Sequence, residues 1–265
     1  MDLATLKFEI RRMLASAGSM GNRMLKPFGC RLYSLANLPL GVDVSIDIKK
    51  LRRGLALGVI FDIGANQGQT MRYFAREFAG SQVFCFEPVK ATFGKLQRNA
   101  KKFKGVRVFQ HGFGEEPGEF EIYLHGNSGE NSLVVKPHSS GGEPPRTEVI
   151  KIHTIDAFCE AEKVSRIDLL KIDTEGFEMQ VLKGAGRMLR EGRLDLVFAE
   201  ICFDAKDKGH TYFSALNEFM LANNFALFAF YDPRHWRNPS VCEYANVLYV
   251  NLGMKRGNRR GQIIP

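Results

Sequence analysis

Apolar residues along this chain follow two alternating patterns, short continuous runs and helically spaced positions. The runs Val59–Phe61, Val83–Phe86 and Ile167–Ile172 have the length of strands that are buried on both faces. Between the first two runs, residues 70–78 carry Met71, Phe74, Ala75 and Phe78 at helical spacing. Strands that alternate with helices predict a mostly parallel sheet with helices on both faces.

The spacing of apolar residues changes to two after Gly118. Phe120, Ile122 and Leu124 alternate with polar residues, and 126–132 and 137–146 are rich in turn formers, which predicts an inserted β-hairpin with long loops. Further strands are predicted at Leu133–Val135, Val149–Ile152, Leu194–Ala199, Phe225–Phe230 and Asn246–Val250.

The stretch Gly58–Thr70 predicts a ligand site, because a glycine turn (GANQG) follows its strand and precedes its helix. A dinucleotide site requires the pattern G-x-G-x-x-G. Here Gly64 and Gly68 are four residues apart, with Asn66 between them. Asp62 would repel a pyrophosphate, but its carboxylate is suited to the ammonium group of an amino-acid-like ligand. A plain structural turn is the alternative.

Glu87 ends the second predicted strand, nineteen residues after Gly68. An acid at this position is suited to accept hydrogen bonds from both hydroxyls of a ribose. An amino-acid group at one end and a ribose at the other describe S-adenosylmethionine. The competing interpretation is a dinucleotide-dependent oxidoreductase on a similar fold.

The charge distribution argues against a nucleic-acid partner. The formal net charge is +8 over 265 residues, but residues 1–58 hold ten Lys and Arg against four acids, and residues 251–265 hold four basic residues and no acid. The body between them therefore carries a net charge of −2 and offers no basic stripe. Five cysteines without a C-x-x-C pair, and no apolar span of about 18 residues, predict a cytoplasmic chain with free thiols.

Three motifs resemble the FkbM-type family of class I S-adenosylmethionine-dependent methyltransferases. They are FDIGANQGQT at 61–70, FEPV at 86–89 and DLLKIDTEGFEMQVLKGA at 168–185, and the third is the most specific. The resemblance covers roughly 46–250. It implies a Rossmann-like α/β class I methyltransferase fold with a seven-stranded, mostly parallel sheet. The resemblance leaves unexplained an N-terminal helical extension predicted over 1–45 and a basic tail over 251–265, which we expect to be disordered.

The resemblance also implies an activity and a set of contacts. The activity is O-methylation of a hydroxyl on a sugar, glycan or natural product. The non-enzymatic alternative is a binding or scaffold protein that kept the fold and lost the chemistry. Phe113 is suited to stack on the adenine or to pack in the core. The predicted cofactor contacts are Asp62, Gly64, Ala65, Asn66, Gly68, Glu87, Pro88, Gly112, Phe113 and Asp173.

The catalytic candidates follow the fourth and fifth strands of this fold, Asp173 and Glu175 after one and Glu200 after the other. Methyl transfer requires an aligned acceptor oxygen whose proton is removed. Glu175 is our first choice as base and His210 the reserve. The structural alternative is a helix start, with Thr174 as cap and the acids complementing the dipole. A divalent cation on Asp173 and Glu200 is a second alternative, but spacing shows no third ligand, so we predict no metal.

The remaining predictions concern the methyl acceptor and the N-terminal region. The loops 126–146 and Tyr231–Glu243 are expected to cover the acceptor, because sites in open α/β sheets lie beyond the carboxyl ends of strands. Leu3, Leu6, Ile10 and Leu14 lie on one helical face beside basic residues. We predict a helix that packs this face on the domain or on a second subunit, and docking on an anionic membrane is the alternative. The acceptor contacts proposed from the two loops are Asn127, Ser128, Asn131, Ser132, His235 and Trp236.

Overall fold

The computed structural model describes residues 20–28, 30–136, 144–235, 239–254, 256–257 and 263–264. Within these ranges the chain alternates strands and helices around one large sheet. The strands are β1 (Val59–Ile63), β2 (Gln82–Phe86), β3 (Val106–Phe109), β4 (Gly112–Phe113), β5 (Gly118–Tyr123), β6 (Thr147–His153), β7 (Ile167–Ile172), β8 (Leu194–Cys202), β9 (Phe225–Arg234), β10 (Tyr244–Asn251), β11 (Arg256–Gly257) and β12 (Ile263–Ile264).

The helices lie between the strands and on both sides of the sheet. They are α1 (Val44–Arg52), α2 (Gln69–Glu77), α3 (Lys90–Ala100), α4 (Ile155–Ala161), α5 (Glu178–Lys183), α6 (Gly186–Arg190) and α7 (Phe213–Ala222).

The large sheet has seven strands in the order β3-β2-β1-β7-β8-β10-β9, which confirms the predicted fold class. All of its pairs are parallel except those of β10, which runs antiparallel to both β8 and β9. Ile63 pairs with Phe86 on one side and Ile172 on the other, so β1, β2 and β7 end level with one another. Residues that follow these strands therefore share one edge of the sheet.

Two apolar cores cover the two faces of the sheet, as the hydrophobic runs predicted. Ile60 packs in one core with Met71 and Phe74 of α2, whereas Phe61 packs in the other. All six residues of β7 are buried. Strands that are buried on both faces do not show the apolar–polar alternation of a half-exposed strand, which explains why their sequences are mainly apolar.

The predicted insertion is a small second sheet in the order β4-β6-β5. β5 and β6 are antiparallel, with Phe120 opposite Ile150. The strand predicted at Leu133–Val135 is wrong, because that segment joins the sheet only through a bridge between Tyr123 and Ser132. Helices among the described residues are all too short or too polar to cross a membrane.

Candidate active site

A cavity of about 110 Å³ opens at the carboxyl edge of β1, β2 and β7. Its polar side is formed by residues that the sequence singled out, and its apolar side by the small sheet. The lining residues that bear on the chemistry are Gly64, Asn66, Glu87, Pro88, Gly112, Phe113, Ser128, Asn131, Ile150, Asp173, Thr174 and Glu175.

The glycine turn after β1 is held against the end of β7. Gly64 has a φ of +71°, and a Cβ on it would lie 1.7 Å from the carbonyl oxygen of Asp173. The Gly64 and Ala65 N–H groups donate to the Phe86 carbonyl at 3.1 and 3.0 Å, which ties the turn to β2 as well. Only glycine fits this position, so the turn has a structural reason for its glycine in addition to its place beside the cavity.

Glu87 presents a buried carboxylate at the ribose end predicted for the cavity. Its side chain accepts hydrogen bonds from the Asn66 N–H at 3.1 Å and the Val89 N–H at 2.9 Å. Burial nevertheless raises the pKa of Glu87 to about 7, because the two backbone donors offset only part of the desolvation of its charge. The carboxylate is therefore fixed in orientation and close to half ionised at neutral pH.

Asp62 does not line the cavity. It is fully buried, and the ammonium of Lys171 lies 3.0 Å from its Oδ1. Lys171 Nζ also lies 3.5 Å from Asp173 Oδ2 and donates to the Gly64 carbonyl at 3.1 Å. Burial raises the pKa of Asp62, and the charge of Lys171 opposes that rise. The direct contact predicted between Asp62 and the cofactor stays a prediction.

Lys171 is a site residue that the sequence analysis missed. Burial by itself would lower its pKa, but the carboxylates of Asp62 and Asp173 outweigh burial and hold the pKa above its ordinary value. The lysine is therefore a permanent cation that joins β1, β7 and the glycine turn. A lysine between the apolar residues Leu170 and Ile172 of this strand was the signal that could have found it.

Gly112 and Phe113 form the far end of the cavity. A Cβ on Gly112 would lie 2.8 Å from Ile152 Cδ1, so the wall is packed tightly there. Phe113 is buried and its ring packs edge-on against Phe86, with the centroids 4.6 Å apart. Phe113 thus serves the core and the cavity at once, and both of its predicted roles are compatible with its position.

The predicted catalytic residues Glu175, Glu200 and His210 come together beside this cavity, and we call them the carboxylate–histidine cluster. One ligand atom from each lies within 4.8 Å of the others, and His210 Nε2 is 3.5 Å from Glu175 Oε2. Burial, followed by the charges of Asp173 and Glu175, raises the pKa of Glu200 to about 7. Glu175 also has a raised pKa, chiefly through burial.

Asp207 and Tyr244 form a chain of polar contacts that leads to His210, and neither residue was singled out in the sequence. Asp207 Oδ1 lies 3.2 Å from His210 Nδ1, and the Tyr244 hydroxyl donates to Asp207 Oδ2 at 2.8 Å. Burial alone would lower the pKa of His210, but its hydrogen bonds to Glu175 and Asp207 raise it to about 9. His210 is therefore mainly protonated at neutral pH.

The helix-start alternative is right for Glu178, which lies in the first turn of its helix, but wrong for Thr174 and Glu175. α5 begins at Glu178, and Thr174 does not cap it. Instead, Glu178 accepts hydrogen bonds from the Thr174 N–H at 2.7 Å and its hydroxyl at 2.9 Å. Glu175 lies before the helix with a φ of +53°, a conformation that costs energy for a residue other than glycine. Its side chain is thereby directed toward His210.

The cluster has the composition of a cation site as well as that of a base. Two carboxylates and one imidazole are ligands that divalent metals accept. The third ligand that spacing did not reveal is His210, and Glu175 takes the place that the sequence analysis gave to Asp173. The prediction that no metal is used stays a prediction.

The first part of the 126–146 loop covers the cavity. The Ser128 hydroxyl donates to Asn66 Oδ1 at 3.0 Å, and the Ser132 hydroxyl donates to the Glu175 carbonyl at 2.9 Å. Asn131 lines the cavity, whereas Asn127 is exposed. His235 is also exposed, and Trp236 and residues 137–143 lie outside the described residues.

A mostly parallel sheet with a glycine turn and a buried acid at its carboxyl edge defines a nucleoside-cofactor-binding α/β protein. The family model described as the methyltransferase FkbM domain matches residues 62–227. The chain therefore belongs to the FkbM methyltransferase family, as the motifs predicted, and S-adenosylmethionine is the cofactor that those motifs imply.

Three methyltransferases are similar to this chain in sequence. Methyltransferase 1 of Beauveria bassiana is 30% identical over 47% of this chain and 57% of its own length. The 2-O-methyltransferase NoeI of Sinorhizobium fredii is 24% identical over 51% and 60%, and the hexuronic acid methyltransferase AglP of Haloferax volcanii is 29% identical over 56% and 59%. The chain thus spans about three fifths of each relative.

The residues that line the cavity fit this cofactor. Gly64 lines the cavity, so the backbone of the glycine turn borders the space for a ligand. Glu87 offers a fixed carboxylate, and Asp173 offers a second one whose side chain is 39% exposed. Ile122, Ile150 and Phe113 form an apolar wall that suits a flat ring.

Proposed function

We propose that this protein transfers the methyl group of S-adenosylmethionine to a hydroxyl group of a sugar or natural product. The observation that carries the proposal is the carboxylate–histidine cluster beside a cavity that fits the cofactor. Two of the relatives are named for methyl transfer to a 2-oxygen and to a hexuronic acid. The family membership favours this function over a dinucleotide-dependent oxidoreductase.

Glu87 and Asp173 hold the two polar ends of the cofactor in this proposal. Glu87 accepts from the ribose hydroxyls, because its carboxylate lines the cavity and its orientation is fixed by two backbone donors. We assign the ammonium group to Asp173 in place of Asp62, since only Asp173 lines the cavity. Asp62 then acts indirectly, through the ion pair that positions Lys171.

Glu175 accepts the proton of the acceptor hydroxyl. It is the member of the cluster that lines the cavity, and burial raises its pKa, which strengthens it as a base. His210 donates toward Glu175 and is oriented by Asp207. When bound, S-adenosylmethionine would supply a methyl group activated by a positively charged sulfonium, and a neutral thioether would remain after transfer. The positive charge lost from sulfur is balanced by the proton that neutralises the Glu175 carboxylate.

The proposal is tested by methyl transfer from labelled S-adenosylmethionine to extracts that contain surface glycans. We expect Glu175→Gln to lower turnover by roughly 10²–10⁴-fold, because it keeps the shape of the side chain and removes the base. The matched control is Glu218→Gln, which neutralises an exposed acid of α7.

Binding of S-adenosylhomocysteine to both variants separates chemistry from folding. Normal binding with turnover at the parent rate in Glu175→Gln would show that Glu175 is not the base. A parent protein that binds S-adenosylhomocysteine but releases no methyl group to any extract would favour a binding or scaffold protein.

A further inference from the structure

Residues 20–42, which we call the N-terminal apolar segment, expose an unusual number of large hydrophobic side chains. Eight of the fifteen exposed large hydrophobics in the described structure belong to it. Phe28 is 78% exposed and Leu35 is 71% exposed. Exposed large apolar side chains concentrated in one segment of this kind indicate an interaction surface. The eight are Met20, Met24, Phe28, Leu32, Tyr33, Leu35, Leu40 and Val42.

The charges of this segment select the kind of partner. Arg23, Lys26 and Arg31 are exposed among the apolar side chains, and residues 20–42 contain no acid. Apolar side chains flanked by basic ones suit the interface of an anionic bilayer, where lipid tails receive the former and headgroups the latter. A second copy of the same surface would bring like charges together, which disfavours a symmetric dimer through this segment.

The segment is anchored to the edge strand β9 through its last residues. Gly41 has a φ of +86°, and a Cβ on it would lie 2.5 Å from the Phe230 carbonyl oxygen. The Gly41 N–H donates to Asp47 Oδ2 at 2.9 Å, and the Tyr231 hydroxyl donates to the same oxygen at 3.0 Å. The buried Asp47 carboxylate therefore joins the segment to α1 and β9.

This anchor lies at the same edge of the sheet as the carboxylate–histidine cluster. Asn246 of β10 pairs with Tyr231 on one side and with Glu200 on the other. Tyr231 and Glu200 therefore lie directly across β10 from each other, and their backbones are about 10 Å apart at the usual spacing between strands. The end of the segment at Gly41 is therefore held near the catalytic edge.

We propose that the N-terminal apolar segment docks on an anionic lipid bilayer and thereby brings the catalytic edge of the sheet toward acceptors held at the membrane surface. The docking itself depends only on the exposed side chains and their charges. The consequence for the acceptor rests on the proposed methyl transfer, so the two parts are tested separately.

Co-sedimentation of the full chain with vesicles tests the docking. We expect binding to phosphatidylcholine vesicles that contain phosphatidylglycerol, weaker binding as salt rises, and little binding to pure phosphatidylcholine. The triple variant Arg23→Gln, Lys26→Gln, Arg31→Gln should bind the anionic vesicles roughly 100-fold more weakly. The double variant Phe28→Ser, Leu35→Ser should lose binding as well, because both apolar contacts and charge are needed.

The matched control is Lys101→Gln, Lys102→Gln, Lys104→Gln, which removes the same charge from exposed positions after α3 and should bind like the parent. Equal loss in this control, or parent-level binding in the first triple variant, would overturn the proposal. So would failure of the parent to bind anionic vesicles, or a dimer in sedimentation analysis that the Phe28 and Leu35 changes dissociate. S-adenosylhomocysteine should bind all variants normally, which keeps this test independent of the active site.

Discussion

The protonation of Glu87 should control the affinity of the protein for nucleosides near neutral pH. Burial raises the pKa of this carboxyl to about 7 in the free protein. Ribose hydroxyls donate to the ionised carboxylate, so a bound ribose competes with the proton. Affinity should therefore rise as the pH rises through 7 and fall as the pH drops below it.

The size of the effect follows from the ionised fraction. With a pKa of about 7, Glu87 is ionised in roughly 10 of 11 molecules at pH 8 and in roughly 1 of 11 at pH 6. Apparent affinity scales with the competent fraction, so the dissociation constant should be about tenfold larger at pH 6, or about 1.4 kcal/mol. Below pH 6 the affinity should fall by nearly tenfold for each further pH unit.

Calorimetric titration with 5′-methylthioadenosine at pH 6, 7 and 8 measures this dependence. This probe keeps the ribose and adenine and lacks the amino-acid group, so the ammonium end makes no contribution. Glu87→Gln cannot ionise and should bind with nearly the same, weaker affinity at all three values. Glu200→Gln is the matched control, because Glu200 also has a pKa raised to about 7 but does not line the cavity.

Two results would refute the reasoning. One is a flat affinity across this range in the parent protein, which would mean that the ribose does not meet an ionising Glu87. The other is a pH dependence that survives Glu87→Gln and disappears in Glu200→Gln, which would assign the titration to the carboxylate–histidine cluster.

Three further predictions concern the support of the site. Lys171→Met should lower the free energy of unfolding by about 3–5 kcal/mol in urea denaturation, because Asp62 is left as a buried unpaired charge, and Asp62→Asn, Lys171→Met should recover much of it. Gly64→Ala should lower the melting temperature and cofactor affinity together, since its Cβ would lie 1.7 Å from the Asp173 oxygen. EDTA should leave methyl transfer unchanged, and a loss that magnesium restores would instead assign a cation to the carboxylate–histidine cluster.

Local sequence was sufficient for the strand, turn and helix around the glycine turn. The pattern over Gly58–Thr70 predicted a strand, a turn and a helix, and the structure contains β1 at Val59–Ile63 and α2 at Gln69–Glu77. Such a unit depends on apolar periodicity and glycine conformation within a few residues. The carboxyl edge followed from the alternation of strands and helices, which predicted that Asp173 and Glu200 would lie on one side.

Contacts between residues far apart in the chain could not be predicted from the sequence. Asp207 and Tyr244 are 37 residues apart, and nothing in either local pattern indicates their hydrogen bond. β8 was predicted to end before Glu200, yet it runs to Cys202 because β10 pairs with it over that length. The ion pair of Lys171 with Asp62 depends on the register of two neighbouring strands, which a single sequence does not specify.

Titration calorimetry with S-adenosylhomocysteine and with NAD decides which cofactor the cavity binds. We expect S-adenosylhomocysteine to bind and NAD not to bind, and we expect Glu87→Ala to weaken binding by on the order of 1–3 kcal/mol through the lost hydrogen bonds to a charged acceptor. Binding of NAD without binding of S-adenosylhomocysteine would contradict the account.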